Sequence, residues 1–193
     1  MRAVVQRVSS ASVNVDGSIV SSISKGLMVL VGIGRDDTTT DVETICKKIL
    51  TLRVFDDGAG AMWKKSVKDI DGEVLCVSQF TLFANTSKGN KPDFHRAMAG
   101  LSSKAGRQMY TAFLARLQAL YKLDKIKDGR FGAMMSVSLT NEGPVTFTLD
   151  SRKFEYVDQQ ENGPRNASKI AQSAEQADGE SERSPTTAVD SAM

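Results

Sequence analysis

Glu73-Val74-Leu75-Cys76-Val77-Ser78-Gln79-Phe80-Thr81-Leu82 is an apolar run that becomes polar where it ends. Residues 73–78 carry no turn-former, so the run fits a strand buried on both faces that surfaces at Ser78. A second such run, Leu27-Met28-Val29-Leu30-Val31, lies upstream. Between the two, Val42, Ile45, Cys46 and Ile49 recur at helical spacing, and Thr40 or Asp41 is placed to cap that helix. Further toward the N-terminus, residues 3–8 and 12–16 alternate as strands, and Asp16-Gly17 predicts a hairpin into residues 19–23. A short strand near residues 53–55 and a Gly/Asp-rich turn at 56–60 follow.

Downstream of the quoted stretch, residues 83–100 show little periodicity, and a segment of that length in a small domain is usually functional. Ser102 opens the longest predicted helix, with Tyr110, Phe113, Leu114, Leu117 and Tyr121 on one face. Residues 134–139 and 145–149 read as two closing strands joined by a turn at Asn141-Glu142-Gly143-Pro144. Strands outnumber helices and short turns join several of them. The expected class is α/β, with mixed, mostly antiparallel sheets and two main helices on one side. Gly32-Ile33-Gly34 follows a strand but lacks the third glycine of a dinucleotide fingerprint, and no phosphate-binding loop occurs.

Composition narrows the function classes. The chain has 193 residues, 40% hydrophobic and 25% charged, with a net charge of +2. That length suits one well-buried domain. No apolar run is long enough for a membrane helix, and the N-terminus begins as alternating strand with no signal-peptide core. A cytoplasmic location is expected. Two separated cysteines, Cys46 and Cys76, and one histidine, His95, do not make a zinc site, so neither a metal nor a cofactor is expected. Residues 158–193 hold seven acids and three bases and no aromatic residue, which leaves the remainder moderately basic. This composition cannot offset its ordering entropy, so residues 1–157 are expected to fold and 158–193 to form a polar, acidic, disordered tail. A basic body is compatible with RNA.

Two segments could carry chemistry. Ser78, Gln79, Phe80 and Thr81 place hydroxyls, an amide and backbone N–H groups together at a strand end, where such groups can hold a carbonyl or an oxyanion. From spacing alone a solvated strand end is the favoured reading, and a nucleophilic Ser78 or Thr81 would need a base that the neighbouring sequence does not show. Gly143-Pro144 is first of all a turn, and a cis bond there would present neighbouring carbonyls as a rigid surface. His95 sits in a loop beside Lys88, Lys91 and Arg96, which could touch RNA phosphates or only face water.

Taken together, these segments are similar to the D-aminoacyl-tRNA deacylase family, in its eukaryotic-type branch, over nearly all of residues 1–150. The resemblance is carried by Gln6-Arg7-Val8, by Ser78-Gln79-Phe80-Thr81-Leu82 and by Asn141-Glu142-Gly143-Pro144-Val145-Thr146. Gly89-Asn90-Lys91-Pro92-Asp93-Phe94 and Lys127-Asp128-Gly129-Arg130-Phe131-Gly132 add to it. It implies a homodimer with a compact β/β/α layered fold that hydrolyses the ester of D-aminoacyl-tRNA, and of mischarged glycyl-tRNA, as chirality proofreading. It implies that Ser78, Gln79, Phe80 and Thr81 line the pocket for the tRNA 3′ adenosine and its ester. By the same resemblance, Gly143-Pro144 is a Gly-cis-Pro that acts in the partner's site, Arg7 fixes it, and Met135 is a pocket residue. Ser136 departs from the family, where Gln is frequent, and the tail has no counterpart in short bacterial members. The competing expectation is a nucleic-acid-binding dimer, DNA included, with vestigial catalysis.

Overall fold

The computed structural model describes residues 1–98 and 104–152. Strand β1 (Arg2–Val15) turns at Asp16-Gly17, both left-handed at φ 51° and 80°, into β2 (Ser18–Ile23). That is the hairpin expected there. Strand β3 (Gly26–Gly32) runs antiparallel to the first half of β1, from Arg2 opposite Gly32 to Val8 opposite Gly26, while β2 takes the second half. The two short strands expected at 3–8 and 12–16 are therefore one. Ala3 and Val5 point into one core cluster, whereas Val8, Ala11, Val13 and Val15 point into another. The alternation slips by one residue between Val8 and Ala11, where the pairing register also shifts. A bulge thus carries one strand through two layers.

Strand β4 (Glu73–Ser78) is parallel to β3, and β5 (Ile126–Asp128) is parallel to β4. Parallel neighbours need crossovers. Helices α1 (Thr39–Thr51) and α2 (Lys104–Leu120) supply them, and both pack on the same face. Leu27, Val29, Val31, Val74 and Cys76 meet the helices, while Met28, Leu75 and Val77 meet the second cluster behind them. Burial on both faces explains why the two runs are apolar without alternation. The result is the expected β/β/α layering, with a mixed sheet curled into a nearly closed barrel-like arrangement.

Strand β6 (Ser136–Asp150) pairs with β1 from Asn14 opposite Ser136 to Arg2 opposite Asp150. Here the structure corrects the sequence reading: the chain does not reverse at residues 141–144. Val8 faces Asn141 and Gln6 faces Thr146, so Arg7 alone stands opposite residues 142–145. Those residues bulge out of a strand that then resumes its course.

Other corrections are smaller. Residues 53–55 form no strand; Phe55 only bridges Lys65. The Asp57 carboxylate holds the expected turn by accepting from the Ala59 and Ala61 amides. Thr38, not Thr40 or Asp41, caps α1, and the Asp41 carboxylate reaches back to the Thr38 N–H at 2.8 Å. The Ser102 helix start and the 158–193 tail lie outside the described residues. Among the described residues no helix is long and apolar enough to cross a membrane. Burial pushes the Cys46 thiol up to about 12 and that of Cys76 well above its ordinary value, so both are inert packing groups.

Candidate active site

The site starts where β4 runs out. The Gln79 N–H donates to Val31 O at 2.7 Å, one rung beyond the strand, and the chain then winds into a 3₁₀ turn at Phe80–Phe83. The Leu82 N–H closes back on Gln79 O at 3.3 Å. The Phe80 and Thr81 amides stand at the N-terminal end of that turn, where a helix supplies no acceptor. This turn can lie against β3 because position 32 has no side chain: a Cβ on Gly32 would stand 2.9 Å from Leu82 Cβ. The Gly-Ile-Gly that failed as a dinucleotide motif thus has a packing role.

Val31, Ile33, Ser78, Gln79, Phe80 and Met98 line a cavity of about 30 Å³, closed on the helix side by Gly106 and Phe131. That volume holds about one water. Among the described residues that line it, none is ionisable. Ser78, Gln79 and Phe80 are half-buried and Thr81 is exposed. Gln79 Nε2 donates to Thr81 Oγ1 at 2.5 Å. The Phe80 ring meets Phe94 edge-on at 4.9 Å, which ties the following loop to the motif. Beneath Phe131 lies Tyr110, ring to ring at 5.4 Å, and burial pushes its hydroxyl well above the ordinary phenol value, so it stays neutral.

A second group gathers at the β6 bulge. The Gly143–Pro144 bond is cis, and both residues are exposed. Gly143 has φ +116°, and a Cβ there would stand 2.8 Å from Val145 Cγ2 and 3.1 Å from Arg7 Nη2. Only glycine fits that conformation and that gap. Arg7 holds the bulge from below: Nε donates to Glu142 O at 3.2 Å and Nη1 to Val54 O at 2.6 Å. Asp56 Oδ1 stands 3.6 Å from the same guanidinium.

The structure therefore unites Ser78, Gln79, Phe80 and Thr81 in one place, and Arg7, Gly143 and Pro144 in another. The two groups are apart within the chain. Arg7 faces Leu27 and Ser78 faces Val31, and β6, β1, β3 and β4 lie side by side. Four residues along and three strands across amount to roughly 20 Å along the sheet. Met135 joins neither group. It lies in the second cluster over Gly129, whose absent Cβ would be 2.7 Å from the Met135 sulfur. Lys88 and Lys91 are exposed on a loop closed by Asn85 and Asp93, and Arg96 follows it. His95 is exposed and paired to the Asp93 carboxylate, which the His95 main-chain N–H and then its imidazole hold below the ordinary range. Met98 and the Val54 carbonyl had no local sequence signal; only the fold brings them beside the two groups.

A strand end with free main-chain amides beside a small pocket can hold a polarised carbonyl. The chain belongs to the D-Tyr-tRNA(Tyr) deacylase family, whose model matches residues 4–150. The members of that family are hydrolases acting on the ester bond of aminoacyl-tRNA. Among curated relatives, a "D-aminoacyl-tRNA deacylase" of Kluyveromyces lactis is 54% identical over 79% of this chain and 99% of its own length. That of Saccharomyces cerevisiae is 52% identical over 78% of this chain and 99% of its own. The solved "c-Myc DNA Unwinding Element Binding Protein" is 50% identical, with a TM-score of 0.73 over 78% of this chain and 98% of that one. A "probable eukaryotic D-amino acid tRNA deacylase" superposes with a TM-score of 0.65 at 18% identity, covering 77% of this chain and 98% of that one, and so shares the fold.

Proposed function

We propose that this protein, acting as a cytoplasmic homodimer, hydrolyses the ester of D-aminoacyl-tRNA, and of glycine mischarged on a non-cognate tRNA, releasing free tRNA and the amino acid. The observation that carries this reading is the pocket at Ser78, Gln79 and Phe80, which lies at the start of a 3₁₀ turn and has no ionisable residue among its described lining. Amides near Phe80, with Gln79, polarise the ester carbonyl. A water oxygen adds to that carbon, assisted by the neighbouring ribose hydroxyl of the substrate. The bond to the esterified ribose oxygen then breaks, and that oxygen takes up the proton. The tRNA 3′ adenosine is placed at this pocket by the same reading.

Chirality is judged by exclusion. The Gly143 and Pro144 carbonyls of one subunit receive the substrate amino group in the partner's pocket and leave no room for an L side chain. The separation of roughly 20 Å along the sheet, with neither Gly143 nor Pro144 in the lining of the chain's own pocket, supports a cross-subunit role. Arg7 holds the bulge in place. Glycine, without a side chain, passes the same wall.

The test is single-turnover hydrolysis of D-tyrosyl-tRNA, L-tyrosyl-tRNA and glycyl-tRNA by the full chain. Rapid release from the D and glycyl esters with the L ester spared is the expected result. Equal rates on both enantiomers, or buffer rates on all three, would overturn the proposal. A second reading, a nucleic-acid-binding dimer with vestigial catalysis, is favoured by the likeness to the DNA unwinding element binding protein. Binding of DNA together with buffer-rate hydrolysis would select it.

A further inference from the structure

A second cavity, of about 390 Å³, adjoins the first. Its walls carry Arg2, Arg35, Arg96 and Arg152 against Asp36 and Asp150. The two cavities share a spine. The Met98 N–H donates to Ile33 O at 2.8 Å and the Arg35 N–H to Arg96 O at 3.1 Å. Ile33 and Met98 wall the first cavity, and Arg35 and Arg96 wall the second, two residues further along each segment. Phe83, last in the turn that begins at Phe80, also lines the second. A strand leaving the first cavity over Phe83 meets arginines.

The four arginines are not equivalent. Arg2 is fastened: Nε to Asp150 at 2.9 Å, Nη1 to Leu82 O at 2.8 Å, and its guanidinium 4.8 Å above the Phe83 ring. Arg152 is held by Asp36 at 2.5 Å and Asp37 at 3.0 Å. Arg35 and Arg96 are exposed; Arg35 feels the Asp36 carboxylate only at a distance, and among the described residues neither guanidinium makes a close ion pair. The lining therefore holds more guanidinium than carboxylate, in a concave site that concentrates its field. Planar guanidinium forks match phosphate oxygens. The volume falls in the range of small-ligand sites.

We infer that this cleft binds backbone phosphates of the same RNA whose esterified 3′ end occupies the first pocket. Arg35 and Arg96 make the contacts, and Arg2 and Arg152 frame them. The inference deepens the deacylase reading and rests on it for the identity of the RNA.

Arg35→Ala, Arg96→Ala and the double variant are compared with Lys48→Ala, an exposed charge on α1 outside the cleft. Two substrates separate the contributions: D-tyrosyl-tRNA, and the D-tyrosyl ester of adenosine, which has no phosphate. The double variant is expected to raise KM for the tRNA about tenfold with kcat unchanged, and to leave the adenosine ester unaffected. The slope of log kcat/KM against log salt should become shallower by about 0.7 for each arginine removed. Affinity for uncharged tRNA, read by fluorescence anisotropy, should fall in parallel. At constant ionic strength, millimolar inorganic phosphate should not displace the tRNA; full displacement would mark a free-phosphate site and overturn the inference. An equal loss on the adenosine ester, or wild-type behaviour of the double variant on tRNA, would overturn it as well. If the wild-type protein cleaves neither ester while tRNA binding still depends on the two arginines, the deacylase reading falls and the phosphate cleft stands.

Discussion

Thr81 Oγ1 lies 2.5 Å from Gln79 Nε2, and that partner limits what the hydroxyl can do. An amide nitrogen donates a hydrogen bond and takes no proton, so it cannot activate an alcohol. Thr81→Ala is therefore expected to retain D-tyrosyl-tRNA hydrolysis within about threefold, where loss of a covalent nucleophile costs orders of magnitude. Single-turnover rates decide it, and a collapse to the uncatalysed rate would establish covalent catalysis at Thr81. His95 has the chemistry of a base, and Asp93 on its Nδ1 leaves Nε2 available, but the pair stands exposed and outside the lining of the pocket. Gly143 and Arg7 show residue identity set by space: the missing Cβ leaves room for the guanidinium that grips the bulge.

Among the elements, α1 stores a pH dependence. Burial alone would raise the Asp41 carboxyl. Hydrogen bonds from the Ser151 hydroxyl and from the Thr38 N–H and hydroxyl outweigh it and hold the group down to about 2, from 3.8 when unperturbed. A depressed carboxylate adds stability above its unfolded value and loses it as pH falls through its folded one. Asp41 thus contributes about 2 kcal/mol at neutral pH, lost between about pH 4 and 2. Asp41→Asn should unfold at lower urea near neutrality and show a flatter decline toward acid, measured as midpoints across that window. Parallel acid curves for the two proteins would refute this. At the same scale, β3 and β4 were legible in the sequence because burial on both faces demands apolar runs. The β6 bulge was misread because Gly-Pro looks the same whether a chain reverses or only steps out of line; which it does depends on the partner strand, and both halves found β1.

For the whole molecule, the separation of the bulge from the pocket makes assembly a requirement of the proposed chemistry. Specific activity is expected to fall on dilution as dimers dissociate, following the same midpoint as mass measured by light scattering or analytical ultracentrifugation. Full activity per chain in a demonstrated monomer would remove the cross-subunit role of Gly143 and Pro144. The arginine cleft also belongs to this scale, since Arg2, Arg35, Arg96 and Arg152 come from four distant parts of the chain.

By itself the sequence determined a mixed, mostly antiparallel α/β class with two helices on one side, the buried runs and the candidate segments. These follow from local periodicity and from short motifs whose residues act near one another along the chain. Tertiary structure alone decided that β1 and β6 are single strands crossing two layers, that Arg7 reaches Val54 and Glu142, and that the pocket stands beside a cleft of arginines. Each of those is a meeting of residues far apart in sequence, and only the burial of the sheet on both faces brings them to one place.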